Sequence, residues 1–97
     1  MPVYMIAEVR NPTDKAKLDE YRRGNTEVVA RHGGRFLVRG GDVEVIEGDW
    51  DPQRVVVMEF PDRAAARAWY DDPDYQRLKA LRQSASDTDL ILVEGAG

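Results

Sequence analysis

The feature that most constrains the fold of this chain is a set of short apolar segments whose hydrophobic residues alternate onto both faces. These segments are predicted to be β-strands because they are rich in valine, isoleucine and leucine and end at turn-forming residues. They span residues 3–9, 35–47, 54–60 and 89–94. Only two helical segments lie between them. Because helices on one side of a sheet leave its other side open, a second apolar face needs another cover.

Capping residues mark the two helical segments. The first begins after Thr13 or Asp14, either of which is a favoured N-cap, and ends at Gly33-Gly34. The second begins at Asp62 and breaks at Asp72-Pro73, because proline cannot continue a helix. The resulting order, βαββαβ, predicts a ferredoxin-like α+β domain with an antiparallel sheet and both helical connections on one side.

The Gly40-Gly41 pair lies within the second predicted strand. It is either a hairpin turn or a kink in one long strand over residues 35–47. We favour the kink, because residues 49–53 already suit a five-residue hairpin loop.

Strict alternation divides the predicted sheet into two faces. The face expected under the helices is apolar throughout and holds Val3, Met5, Ala7, Val9, Phe36, Val38, Val56, Met58, Phe60, Ile91 and Val93. The opposite face holds Tyr4, Ile6, Leu37, Val55, Val57, Leu90 and Leu92, with Glu8, Arg39, Glu59 and Glu94 towards the strand ends. At roughly 1.5–3 kcal/mol for each buried side chain, the second face represents about 10–20 kcal/mol of gross burial. A second copy of the sheet is the simplest cover, so we expect a homodimer.

Length, charge and composition narrow the class of protein. The 97 residues fit one domain over residues 1–97, with an ordered core of about residues 2–94. The net charge is −4 and basic residues are scattered among acidic ones, which disfavours a nucleic-acid partner. With no cysteine and one histidine, no disulfide framework and no metal site are expected. No apolar run predicts a membrane span or an export signal, so we expect a cytoplasmic protein.

Most of the chain resembles an uncharacterised family catalogued as domain of unknown function thirteen-thirty. The resemblance rests on Arg35-Phe36-Leu37-Val38-Arg39-Gly40-Gly41, Val45-Ile46-Glu47-Gly48-Asp49-Trp50, Val55-Val56-Val57-Met58-Glu59-Phe60, Ala68-Trp69-Tyr70, Pro73, Tyr75 and Leu81-Arg82. It implies the dimeric α/β-barrel superfamily, in which two ferredoxin-like subunits pack sheet against sheet. That superfamily includes cofactor-free monooxygenases, muconolactone-isomerase-like enzymes, haem-handling proteins and ligand-binding regulatory modules. The family itself has no settled activity, so the fold implies little about function.

Three residues are candidates for acid–base chemistry. His32 is the only histidine, although its place in the last turn of a helix also suits the helix dipole. Glu8 and Glu59 lie on neighbouring strands of the predicted sheet, where paired carboxylates would raise one pKa. The alternative is an ion pair with Arg39 at the subunit contact. A further base is the amine of Pro2, which removal of Met1 would expose.

Aromatic residues around the helix break predict a ligand pocket. Trp69, Tyr70 and Tyr75 flank this break, where they would enclose an apolar pocket or simply pack in the core. Guanidinium groups pair well with anions, so Arg39 is predicted to contact a bound ligand, and Arg35 and Arg82 are further candidates.

Three functions follow from these features. The leading hypothesis is a homodimer with a small-organic-ligand pocket in each subunit and no cofactor. The alternative is a cofactor-independent monooxygenase or isomerase that uses His32, Glu8 and Glu59. The third is a structural dimer module without a ligand. The sequence leaves open whether the protein is an enzyme.

Overall fold

A computed structural model describes residues 1–97 as a single sheet covered on one side by helices. The elements in chain order are β1 (Val3–Arg10), α1 (Lys15–Arg31), β2 (Arg35–Arg39), β3 (Arg54–Phe60), α2 (Arg63–Asp71), α3 (Pro73–Ala85) and β4 (Asp87–Glu94). All neighbouring strands are antiparallel, in the order β2-β3-β1-β4. The predicted ferredoxin-like βαββαβ architecture is therefore confirmed. No helix combines the length and the apolar character needed to cross a membrane.

The helices begin at the residues that the sequence predicts. The side chain of Asp14 caps α1 by accepting from the backbone N–H of Lys17 at 3.1 Å. The side chain of Asp62 caps α2 in the same way, accepting from the N–H of Ala65 at 2.8 Å. Gly33 follows α1 with φ +76°, a left-handed conformation that favours glycine.

Asp72 joins the two halves of the second helical segment. It ends α2, and its side chain accepts from the N–H of Asp74 at 2.8 Å to begin α3. Pro73 is the first residue of α3, the helical position where the missing N–H costs nothing.

The core lies between the helices and the face of the sheet that they cover, which we call the covered face. Its most buried side chains are Val3, Met5, Leu18, Val28, Val29, Met58, Phe60, Trp69, Tyr75 and Leu78. They come from β1, β3 and all three helices, so the core ties every layer of the subunit together.

The predicted faces of β4 are reversed in the structure. Leu90 pairs with Ala7 and lies on the covered face, whereas Ile91 pairs with Ile6 and is 56% exposed on the opposite face. Leu92 and Val93 follow the same order. All four residues are apolar, so alternation within β4 cannot decide which set faces the helices. The pairing with β1 decides it, because a slip of one residue exchanges the faces of a strand.

A β-bulge reverses two further assignments in β2. Phe36 pairs with Met58, but the next paired residue is Val38, opposite Val57. Leu37 is therefore an extra residue, and Val38 lies on the uncovered face while Arg39 lies on the covered face beside Val56. The sequence predicts the opposite placement of both, because strict alternation does not anticipate a bulge.

The predicted strand over residues 43–47 is also wrong. β2 ends at Arg39, and residues 41–51 are exposed and form no strand. Gly40 has φ +75°, and its N–H donates to the carbonyl of Val55 at 2.9 Å, which closes the ladder at that point. Within the subunit, no neighbouring strand pairs with this segment.

The uncovered face of the sheet, which we call the open face, is apolar despite these corrections. It holds Tyr4, Ile6, Val38, Val55, Val57, Ile91 and Val93. No helix packs on it, and Val38, Ile91 and Val93 are among the large hydrophobic side chains that the subunit leaves exposed. The prediction that the second face is apolar and uncovered within one subunit is therefore confirmed.

Candidate ligand-binding site

A cavity of about 40 Å³ lies between the covered face, α1 and α3. One water needs roughly 10–15 Å³ of such space, so side chains leave this part of the core unfilled. One wall is apolar and aromatic and includes Phe36, Met58, Trp69 and Tyr75. The other end is polar and carries Arg22, Arg39, Arg54, Arg82 and Thr88. The cavity is therefore amphipathic.

The aromatic wall is fixed by packing and by one buried hydrogen bond. Trp69 has no exposed surface, and its indole N–H donates to Oδ1 of the buried Asn25 at 2.9 Å. Its ring lies 4.2 Å from that of Tyr75, centroid to centroid, and 5.5 Å from that of Phe60. The wall that a ligand would meet is therefore formed by contacts within the core.

Two tyrosine hydroxyl groups meet between α1 and α3. The hydroxyl oxygens of Tyr21 and Tyr75 are 2.9 Å apart and share a hydrogen bond. Burial raises the pKa of both phenols, and the nearby cation of Arg82 opposes this effect without reversing it. Both phenols therefore stay neutral at physiological pH and act as hydrogen-bonding groups.

The topology brings the polar groups to one end of the sheet. Arg54 begins β3 and Thr88 lies near the start of β4, and both are paired with Val9 near the end of β1. Arg82 lies in the last turn of α3, which leads directly into β4. Arg22 projects from α1. These side chains meet because β1 and α3 end, and β3 and β4 begin, at this edge of the sheet.

Arg39 and Arg54 are held by backbone contacts. The guanidinium of Arg39 donates to the carbonyl of Arg22 and stacks 3.9 Å above the ring of Phe36. Nη2 of Arg54 donates to the carbonyl of Arg39 at 3.5 Å, and its guanidinium occupies the space where a Cβ on Gly40 would lie. Burial lowers the pKa of both arginines, and the cation of Arg22 lowers it further. The two cations are thus crowded together, with Arg39 exposed and Arg54 half-buried.

Arg82 and Thr88 supply polar atoms that the protein leaves unpaired. Arg82 is only 5% exposed and its Nε has no hydrogen-bond partner. The buried Oγ1 of Thr88 also has none. Buried polar groups normally have partners, so these two atoms are a distinctive feature of the cavity.

Three of the four predicted ligand-binding residues line this cavity. Arg39, Trp69 and Tyr75 do so, and the bulge in β2 is what brings Arg39 to the covered face. Tyr70 does not line it; it packs against Trp69 at 6.0 Å and borders a separate surface groove with Leu90. The role of all four residues in binding stays a prediction.

Several cavity residues were missed by the sequence reasoning. They are Tyr21, Arg22, Asn25, Arg54 and Thr88. Arg54 was predictable from the sequence, because it is two positions before Val56 and alternation alone places it on the covered face. Thr88 was not, because the faces of β4 were reversed.

The structure does not bring Glu8 and Glu59 together. Glu8 lies opposite Val55 and Glu59 lies opposite Tyr4, so about four residues, or ~13 Å, separate them along the open face. Neither pairs with Arg39, because the bulge places that residue on the other face. The ε-nitrogen of Arg35 donates to Glu59 at 2.9 Å.

Glu8 is instead part of a cluster at one end of the open face. Nη1 of Arg10 donates to its carboxylate at 2.8 Å and to that of Asp89 at 3.0 Å. Burial by itself would raise the pKa of Glu8, but hydrogen bonds from Arg10, Gln53 and Trp50 outweigh it and lower this pKa. Glu8 is therefore an ionised group on the face of the sheet opposite to the cavity.

His32 and Pro2 also lie outside the cavity. His32 follows the last residue of α1, and its Nε2 is 2.8 Å from Oδ2 of Asp72. The carbonyl of Pro2 accepts from the N–H of Gly95 at 2.9 Å. None of the residues proposed for acid–base chemistry lines the cavity.

Fold and cavity together define the class: a ferredoxin-like α+β protein with a small amphipathic pocket between its sheet and its helices. The chain belongs to the family described as Domain of unknown function (DUF1330), whose model matches residues 2–96. No curated protein matches the sequence.

Solved structures share this fold at low sequence identity. RPA0582 from Rhodopseudomonas palustris, a protein of unknown function, is 24% identical with a TM-score of 0.78, over 99% of this chain and 83% of that one. SnoaB from Streptomyces nogalater, a cofactor-independent oxygenase, is 17% identical with a TM-score of 0.71, over 99% and 94% of the two chains. A dimeric ferredoxin-like protein of unknown function from Jannaschia sp. CCS1 is 15% identical with a TM-score of 0.71, over 98% and 100%. These similarities establish the fold.

Proposed function

We propose that this protein is a homodimer in which each subunit binds one small organic ligand in the cavity between its sheet and helices. The amphipathic cavity carries the proposal. Ligand sites are typically concave, mostly apolar and provided with a few fixed polar groups. The packed aromatic wall of Trp69 and Tyr75 and the unpaired atoms of Arg82 and Thr88 match that description.

The open face supports the homodimer. It is apolar, it lies on the side away from the helices, and Val38, Ile91 and Val93 on it are exposed in the single subunit. Pairing by a two-fold axis would bury the same face of both copies. The similar structure from Jannaschia is described as dimeric, which agrees with this assembly.

Ligand binding is favoured over acid–base catalysis by the composition of the cavity wall. SnoaB, which shares the fold, is described as a cofactor-independent oxygenase, so enzymatic chemistry on this scaffold is the second candidate. However, the lining contains no histidine, aspartate or glutamate, and its two phenols are held neutral by burial.

The cytoplasmic location stays a prediction of the sequence.

Ligand binding can be tested by the thermal stabilisation of the purified protein. The cavity of about 40 Å³ is smaller than the roughly 150 Å³ that holds benzene, so an aromatic ligand has to displace side chains of the lining. We expect at least one member of a panel of benzoate, benzamide, phenol, benzyl alcohol and hexanoate to raise the melting temperature, because binding to the folded state stabilises it. Val56→Phe fills the cavity from the covered face and should abolish the response. Ala30→Phe, at an exposed position of α1, is the control and should respond like the wild type.

Light scattering during gel filtration tests the assembly. We expect a mass of about 22 kDa, twice the 11.0 kDa of one chain, at micromolar concentration. A dimer that responds to no member of the panel would indicate a structural module. A stable monomer would overturn the proposed assembly. Turnover of a bound compound would instead favour the enzyme.

A further inference from the structure

We propose that the ligand is a small organic anion whose carboxylate binds at the arginine end of the cavity while its apolar part lies against the aromatic wall. This inference rests on the proposed function, because it names the chemical class of the ligand in that same cavity.

The first argument is the imbalance of charge around the cavity. Four arginines line it and no acidic residue does. Arg22 pairs with Asp19 at 3.1 Å, but none of the ion pairs of the protein involves Arg39, Arg54 or Arg82. The chain as a whole carries a net charge of −4. The cavity therefore collects three arginines without counter-ions in a protein whose net charge is negative.

The second argument is the burial of Arg82. A buried charge without a counter-ion is strongly unfavourable, so proteins pair such groups. The hydroxyls of Tyr21 and Tyr75, the ring of Tyr21 at 5.5 Å from the guanidinium carbon, and the negative end of the α3 dipole stabilise the cation in part. None of them supplies an acceptor for Nε, which has no partner, and none carries a negative charge. A carboxylate in the cavity would supply both the acceptor and the negative charge.

The third argument is the order of groups along the cavity. Guanidinium groups bind carboxylates through paired hydrogen bonds, and Thr88 offers a hydroxyl at the same end. Met58 and Trp69 on the aromatic wall offer apolar surface, and the ring of Phe36 lies between this wall and the stacked Arg39. A ligand that satisfies both ends has one anionic group attached to a compact apolar or aromatic body.

A pair of ligands with the same shape and different charge tests the proposal. Benzoate and benzamide differ in charge but not in size, so their dissociation constants can be compared by isothermal titration calorimetry. We expect wild-type protein to bind benzoate roughly tenfold or more tightly than benzamide, because charge-assisted hydrogen bonds form only with the carboxylate. Raising the salt concentration should weaken benzoate binding and leave benzamide binding unchanged.

Arg82→Gln tests which cation is responsible. We expect the variant to lose most of the preference for benzoate. Arg77→Gln is the matched control: it removes the same charge from the same helix, but Arg77 is exposed and pairs with Glu20 at 3.8 Å outside the cavity. We expect this control to keep the wild-type preference.

The thermal stability of the ligand-free variant gives an independent readout. Arg82→Gln should melt at a temperature equal to or above that of the wild type, because it removes an unpaired buried charge. A large fall in melting temperature together with an unchanged preference for benzoate would assign Arg82 a structural role and overturn the proposal.

The outcomes separate this proposal from the proposed function. Equal affinity for benzoate and benzamide would overturn the anionic ligand and leave ligand binding in place. Inorganic phosphate binding as tightly as benzoate would indicate a site for inorganic anions and would also overturn the proposal. If hexanamide and every member of the panel fail to bind at millimolar concentration, both proposals fall.

Discussion

At the scale of single residues, Gly40 connects the end of β2 to the cavity. Its φ of +75° is strained for any residue with a side chain, and the Arg54 guanidinium fills the space beside its Cα. Glycine at this position therefore allows the chain to leave the sheet and lets an arginine approach the backbone closely. The sequence predicts a kink within one long strand at Gly40, which is wrong because β2 ends at Arg39, and the contact with Arg54 was not predicted.

Gly40→Ala should destabilise the protein by roughly 1–2 kcal/mol, the cost of a left-handed conformation for a residue with a Cβ. It should also weaken benzoate binding, because the new methyl group displaces Arg54. Urea denaturation measures the free energy of unfolding, and calorimetry measures binding. Gly41→Ala is the control, since a Cβ there meets nothing within 4 Å. Similar losses in both variants would contradict this account.

Asp72 is a second residue with more than one structural role. Its carboxylate accepts from the N–H of Asp74, from Arg31 at 3.1 Å and contacts His32 at 2.8 Å. The hydrogen bond with His32 is the main cause that lowers the pKa of Asp72, followed by the bond from the backbone of Asp74. In this structure His32 is thus a partner of the helix junction.

Asp72→Asn should make the stability of the protein less dependent on pH on the acid side. A lowered carboxyl pKa stabilises the folded state above the ordinary value of about 3.9 and loses this effect as the pH falls through the folded-state pKa. Asparagine caps helices as well as aspartate, so only the charge changes. Urea denaturation at about pH 7 and about pH 3 should show that the deficit of the variant shrinks in acid. The exposed Asp71→Asn is the control, and an equal deficit at both pH values would refute the prediction.

At the scale of elements, β4 shows how an apolar strand acquires its faces. Leu90, Ile91, Leu92 and Val93 are similar in hydrophobicity, and the register with β1 alone places Leu90 inward and Ile91 outward. The two neighbours therefore belong to different surfaces of the protein: one lines the cavity and the other lies on the open face.

Leu90→Ala and Ile91→Asp should consequently have different effects. Leu90→Ala removes apolar contacts with the core and should lower the free energy of unfolding by about 2 kcal/mol. Ile91→Asp should leave the circular dichroism spectrum unchanged but shift the mass from dimer to monomer. Circular dichroism with urea and light scattering measure the two effects. The reverse pattern would show that the faces of β4 are assigned incorrectly.

The sequence predicts the elements well because their boundaries depend on local chemistry. Asp14, Asp62 and Asp72-Pro73 determine helix ends through capping and through the missing N–H of proline. The faces of β2 and β4 depend instead on pairing between distant strands, which no local pattern specifies. The segment of residues 43–47 alternates like a strand but has no neighbour within the subunit.

The cavity, like the strand faces, depends partly on contacts between distant residues. Trp69 and Tyr75 were predictable from their place at the helix break, whereas Tyr21 and Thr88 join them only through tertiary packing.

At the scale of the whole molecule, the subunit is a slab of 32 × 32 × 16 Å with one layer of helices on one layer of sheet. The covered face is used for the core and the cavity. The open face is mostly apolar, and no helix covers it. Because the two faces lie on opposite sides of one sheet, a homodimer would place its cavities outside the subunit contact, where each keeps access to solvent.

The extra residue at Leu37 has an effect on both sides of this sheet. By advancing the chain one position, it turns a valine onto the open face and a cation onto the covered face. If Leu37 paired with Val57 and the bulge flattened, Val38 would turn to the covered face and Arg39 to the open face, so the open face would gain the positive charge that the pocket lost. Substitutions that remove this bulge should therefore change self-association and anion binding together.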